Sequence, residues 1–150
     1  MAEGDFKAIA SVRGNPIHGL LSPFPFVFFV ATLVTDIAYW KTSDVMWEMF
    51  SDWLLLAGLV TAAFAMLAGL IDFLGNPRIR ALGIVWVHFA ANVLAMILAI
   101  INAFVHSRDG YTAIVPTGLT LSLLVVFLLS FAGWIGKTMI YRHRVGVTAR

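Results

Sequence analysis

The chain has no cysteine. Disulfides, thiol nucleophiles and thiolate-held zinc or iron–sulfur centres are excluded at once. Charge is the second shortage: 12% of residues are Asp, Glu, Lys or Arg, where a soluble domain has about 25%. Hydrolase and nucleotide motifs are missing as well. The sequence contains no GxSxG, no HExxH and no phosphate-binding loop, and it pairs no inward carboxylates at one level. The charge series of a voltage sensor or pump is absent too. The reading is of a non-enzyme rather than an enzyme.

What fills the space is apolar. Hydrophobic residues make up 61% of the chain and the mean hydropathy is +0.92, which points to an integral membrane protein. Four stretches have the roughly 20 apolar residues that cross a bilayer: Leu20–Trp40, Trp53–Leu74, Ala81–Val105 and Pro116–Tyr141. The connections between them are short, so the expected fold is all-α, an up-down-up-down four-helix bundle forming a single membrane domain over residues 1–150. Met1–Arg13 has no apolar core or small-residue cleavage site, and the first span is expected to direct insertion.

Net charge is +2, yet the basic residues flank apolar segments, the pattern of a membrane protein and not of a nucleic-acid binder. Lys7, Arg13, Arg78, Arg80, Lys137, Arg142, Arg144 and Arg150 fall on one side; Lys41 and Arg108 fall on the other among Asp44, Glu48, Asp52 and Asp109. The positive-inside rule places both termini in the cytoplasm. Trp40, Trp47, Trp53 and Tyr111 are expected at the outer boundary and Tyr141 at the inner one.

Small residues set helix packing where lipid removes the hydrophobic drive. The expected stripes are Thr32, Thr35 and Asp36; Gly58, Ala62, Ala65, Gly69 and Asp72; His88, Asn92, Ala95, Ala99 and Ala103; and Gly118, Ser122, Ser130 and Gly133. Phe26, Phe28 and Phe29 are expected to face lipid or fill gaps.

Ionisable groups inside spans are costly, so each needs a role. His88, with Asn92 one helical turn on, is a candidate haem ligand, quinone contact or proton carrier, or else a plain interhelical hydrogen bond. Asp36 is expected to pair with Lys41 or Arg108, or to cap a neighbouring helix. Asp72 is expected to form an ion pair with Arg78 or Arg80. His18 follows a helix-start signal, Asn15–Pro16, that echoes at Asn76–Pro77; a tandem duplication would explain the echo. Pro23 and Pro25 are expected to kink the first helix. Counted from these two starts at 1.5 Å per residue, His18 and His88 differ in depth by roughly 13 Å, which argues against a haem held by both.

Several stretches resemble the DUF2231 family of bacterial membrane proteins. They are Gly14–Asn15–Pro16–Ile17–His18 with Phe24–Pro25, Leu33-Val34-Thr35-Asp36, Ala68-Gly69-Leu70-Ile71-Asp72, His88 with Asn92–Val93–Leu94, and Gly133-Trp134-Ile135-Gly136 with Tyr141-Arg142-His143-Arg144. Many relatives have Pro where Gly19 stands, and some carry a second histidine where Ser22 or Pro23 stands here. The resemblance implies a multi-pass protein of the bacterial inner membrane in redox-rich settings, and raises the prospect of a redox partner. Two functions follow. One is an accessory or scaffold subunit of a larger membrane complex, or a homo-oligomer. The alternative is a b-type haem or quinone-interacting electron carrier using His88, Asn92 and His18. Small-solute transport comes third.

Overall fold

The computed structural model describes residues 6–108, 114–143 and 145. Asp109, Tyr111, Arg144 and Arg150, which entered the charge and boundary expectations, lie outside them. Four helical stretches are long and apolar enough to cross a membrane: Ile17–Thr42, Val45–Gly75, Gly83–His106 and Ile114–His143.

The chain begins with a small hairpin, β1 (Ser11–Val12) against β2 (Asn15–Pro16), in which Ser11 pairs with Pro16 and Val12 with Asn15. Its two-residue turn, Arg13 and Gly14, has φ of 51° and 81°, the positive pair such a turn demands. Asn15 is thus spent in the hairpin, and Pro16 stands at the N-cap of α1 (Ile17–Leu21) with no side-chain cap. At the echoed position the expected cap does form: Asn76 Oδ1 accepts the Arg78 N–H (3.0 Å) at the start of α4 (Pro77–Arg80).

The first span breaks at Ser22. Pro23 then opens α2 (Pro23–Thr42) at a position where its missing N–H costs nothing. The prolines therefore start a new helix just after His18. Ser43 closes α2 in the left-handed region, φ 54°, and Asp44 caps α3 (Val45–Gly75) through the Met46 N–H (2.9 Å). After α4 come α5 (Gly83–His106), an irregular turn Ile114–Gly118 with a cis Val115–Pro116 bond, and α6 (Leu119–His143).

Cross-helix pairs fix the register. His18, Phe29 and Thr35 meet Ala65, Gly58 and Ser51; His88, Asn102 and His106 meet Ala132, Ser122 and Gly118. In both sets residue numbers rise on one helix as they fall on the other. The interior is layered. At the hairpin end, Phe73, Ile79, Val85, Ile135 and Met139 form an apolar plug. A histidine layer comes next, then a second apolar cluster of Phe29, Leu55, Ala99 and Val125. A polar layer around Asp36 closes the far end. Phe29 fills a gap left by Gly58, where a Cβ would stand 2.8 Å from the ring, whereas Phe24 and Phe26 are exposed. The buried stripe runs from Gly118, just before α6, through Ser122, Val125 and Ala132; Ser130 and Gly133, expected on it, face outward. The helix turns about 100° per residue, and these two lie off the line that joins the others.

Candidate functional site: a paired-histidine layer and a buried aspartate

His18 sits on α1 and His88 on α5, and their rings meet edge to face with centroids 5.9 Å apart and planes 88° from parallel. The offset of roughly 13 Å expected from counting along the helices is overturned. His88 was counted from Pro77, but α4 ends at Arg80 and the chain turns again before α5 begins at Gly83. Those residues add length without adding depth.

Both rings are anchored in the same way. His18 Nδ1 lies 2.8 Å from the Ala65 carbonyl and His88 Nδ1 lies 3.0 Å from the Ala132 carbonyl. A carbonyl only accepts, so each Nδ1 carries the proton and each Nε2 keeps its lone pair. Glycine makes the approach possible. Gly69 lies four residues after Ala65, and a Cβ there would stand 2.9 Å from His18 Nδ1; Gly136 lies four after Ala132, with a Cβ 3.5 Å from His88 Cε1. Asn92 donates through Nδ2 to the His88 carbonyl (2.8 Å) and to His88 Nε2 (3.2 Å). His88, Asn92 and His18 are thus brought to one place.

At the far end Asp36 is fully buried. Its Oδ1 accepts from Ser51 Oγ (2.6 Å) and faces His106 Nε2 at 3.1 Å; its Oδ2 accepts from Ser122 Oγ (2.6 Å). Ser51 also meets Thr35 Oγ1 (2.7 Å), and Asn102 Nδ2 donates to Ser122 (2.8 Å). The expected pairing with Lys41 or Arg108 is replaced by His106: the Lys41 ammonium lies 4.0 Å from the centre of the Trp40 ring. His106 donates from Nδ1 to the Asn102 carbonyl (3.0 Å), so one further proton lies on the line between Nε2 and Asp36. Carboxylate with imidazolium, or carboxylic acid with imidazole, both leave the pair neutral. Gly118 admits the ring, since a Cβ there would come within 2.7 Å of Cε1.

Asp72 is bound by backbone groups and not by the expected arginines. Its Oδ1 accepts the N–H of Ile9 (2.6 Å) and of Ala10 (2.7 Å). These bonds fasten the N-terminal strand across the end of α3, with Ile9 seated against Gly75.

The sequence reading missed His106 as the partner of Asp36 and missed Ser51 altogether. A signal was present. Asp36 and His106 are 70 positions apart, the same offset as His18 and His88, and Ala65 and Gly69 map onto Ala132 and Gly136 by one common offset. These spacings place corresponding positions on corresponding helices of the two hairpins. The Gly-Asn-Pro echo falls at a shorter offset and marks a different register.

Among the described residues no three His, Asp or Glu side chains are grouped to hold a metal ion. No curated protein and no solved structure matches the chain. A family model described as "Predicted membrane protein (DUF2231)" matches residues 14–149, nearly the whole length, with both histidines and both buried carboxylates inside the match. This four-span membrane protein belongs to the DUF2231 family.

Proposed function

We propose that the protein is an electron carrier whose His18–His88 pair holds a b-type haem. The carrying observation is the pair itself: two imidazoles from different helices, each fixed through Nδ1–H to a helix carbonyl, each with its Nε2 lone pair unprotonated. Metal-binding histidines are commonly oriented by a bond of this kind. Two imidazoles are too few for a tetrahedral zinc site, but a haem iron asks the protein only for axial ligands. Bundle cores build such sites from facing helices. The 5.9 Å between ring centroids puts the two imidazoles within reach of one bound group, which both would hold. Gly69 and Gly136 let the rings lie against α3 and α6, and Asn92 keeps its bond to the His88 carbonyl if Nε2 is engaged. The bound group supplies reversible one-electron chemistry; the chain orients it and shields it from water. The test is a reduced-minus-oxidised spectrum of the protein purified in detergent. Soret and α bands are expected, and a colourless protein from haem-replete cells overturns the reading.

A second reading is the accessory subunit packed against a larger assembly, or a homo-oligomer. Its support is that α6 turns Ser130 and Gly133 outward, where a neighbouring helix could pack closely. A colourless protein that copurifies with a larger complex would favour it.

The proposed setting is the bacterial inner membrane, with the helices threaded up-down-up-down. Lys7, Arg13, Arg78, Arg80, Lys137 and Arg142 sit at the hairpin end, and this end is proposed to face the cytoplasm. A reporter active only in the periplasm, fused after Arg150, should be silent and should become active when fused into the connection after Arg108. The reverse pattern overturns the orientation.

A further inference from the structure

We infer that Glu48 forms a proton-binding site at the Asp36 end of the bundle, holding a proton at neutral pH and exchanging it with the aqueous face beside Asp52. This rests on observations separate from the histidine layer. Two side-chain oxygens in this region are buried and have no hydrogen-bond partner, Glu48 Oε2 and Asn102 Oδ1. The residues are 5% and 0% exposed. Every other polar contact of the layer is satisfied: Asp36 by Ser51, Ser122 and His106, and Asn102 Nδ2 by Ser122. Among the described residues, what these two oxygens lack is a donor.

Charge counting gives the same answer. Asp36 and His106 together are neutral in either arrangement of their shared proton. An ionised Glu48 would add one uncompensated charge to a buried site, which is costly. A proton on Glu48 removes that charge and creates an O–H. Asn102 Oδ1, the other buried oxygen without a partner, is an acceptor that such an O–H could serve.

Among the described residues, the titratable groups near Glu48 come from α3 and α5: Asp52 follows it by one turn on α3, and His106 lies within electrostatic reach from α5. His106 is in turn bonded to Asp36 of α2. The facing part of α6 brings only Ser122; it has no titratable residue before Lys137. The path outward is short, because Glu48 lies in the first turn of α3 and Asp52 is exposed. The exchange is balanced: a hydronium at the aqueous face gives its proton to the Glu48 carboxylate and leaves as water, and the reverse step returns it.

The sequence makes the test clean, because Glu3 and Glu48 are its only glutamates. Protein labelled with ¹³C at the glutamate carboxyl, in lipid nanodiscs at neutral pH, should give two carboxyl signals. One is expected at the position of an ionised carboxylate and the other at that of a carboxylic acid, with the second missing in Glu48→Gln. Asp36→Asn should keep both. Two ionised signals in the wild-type protein, a reading that needs no variant, overturn the proposal. So does an acid signal that persists in Glu48→Gln.

Discussion

Asp36→Ala is expected to destabilise the protein by about 3–5 kcal/mol, the cost of removing one partner from a buried charged pair. For a chain of this size that lowers the melting temperature by roughly 10 °C. The reason is what the substitution leaves behind. Ser51 and Ser122 direct hydrogen atoms at this group, His106 shares a proton with it, and all lie in the interior. His106→Ala should cost a similar amount, since it strands Asp36 in turn. The double variant should cost little more than either single one, because neighbours that share an interaction are not additive. Thermal unfolding of the four proteins in one detergent checks this. Additive losses below about 1 kcal/mol each, the range of an exposed pair, would show that the pair does not act as a unit.

His18→Ala and His88→Ala are each expected to abolish the haem spectrum, while His106→Ala leaves it intact although it is the more destabilising change. The contrast separates ligand loss from general loosening, because the two layers stand at opposite ends of the bundle. His88 and His106 stand 18 positions apart on the unbroken α5, or roughly 27 Å at 1.5 Å per residue. Gly69→Ala is a subtler probe. A Cβ there would stand 2.9 Å from His18 Nδ1, so the ring must leave the Ala65 carbonyl. The band should weaken or shift while His88 and the rest of the bundle stay in place. An unchanged spectrum in His18→Ala would remove His18 from the site.

The four spans and the residues worth attention could be read from the sequence, because lipid imposes a length, an apolar composition and a price on every charge. The pairings could not. Depth was misjudged at His88 because Pro77–Arg80 forms its own short helix, and residue counting assumes one helix without breaks. Charge and the outer side of the membrane point Asp36 to Lys41 or Arg108, or to a helix cap, whereas the fold brings His106, two residues before Arg108, to it. Charge alone assigns Asp72 to the arginines, but the segment before β1 reaches it with the N–H groups of Ile9 and Ala10. The Asp36 and Asp72 contacts join segments far apart in the chain, which periodicity and composition do not encode. The equal spacings are legible in the sequence. Equal offsets from His18 to His88 and from Asp36 to His106 place like positions on like helices, and a three-residue echo drew attention to the wrong register.

The ring geometry makes a sharp prediction for the oxidised protein. His18 and His88 meet with centroids 5.9 Å apart; if both imidazoles held the haem, their two nitrogens would leave its ferric iron low-spin. Low-temperature electron paramagnetic resonance of the oxidised protein should show that low-spin species, and His18→Ala and His88→Ala should each lose it. A high-spin signal from the wild-type protein, or haem with a low-spin signal that survives both substitutions, would contradict ligation by the His18–His88 pair.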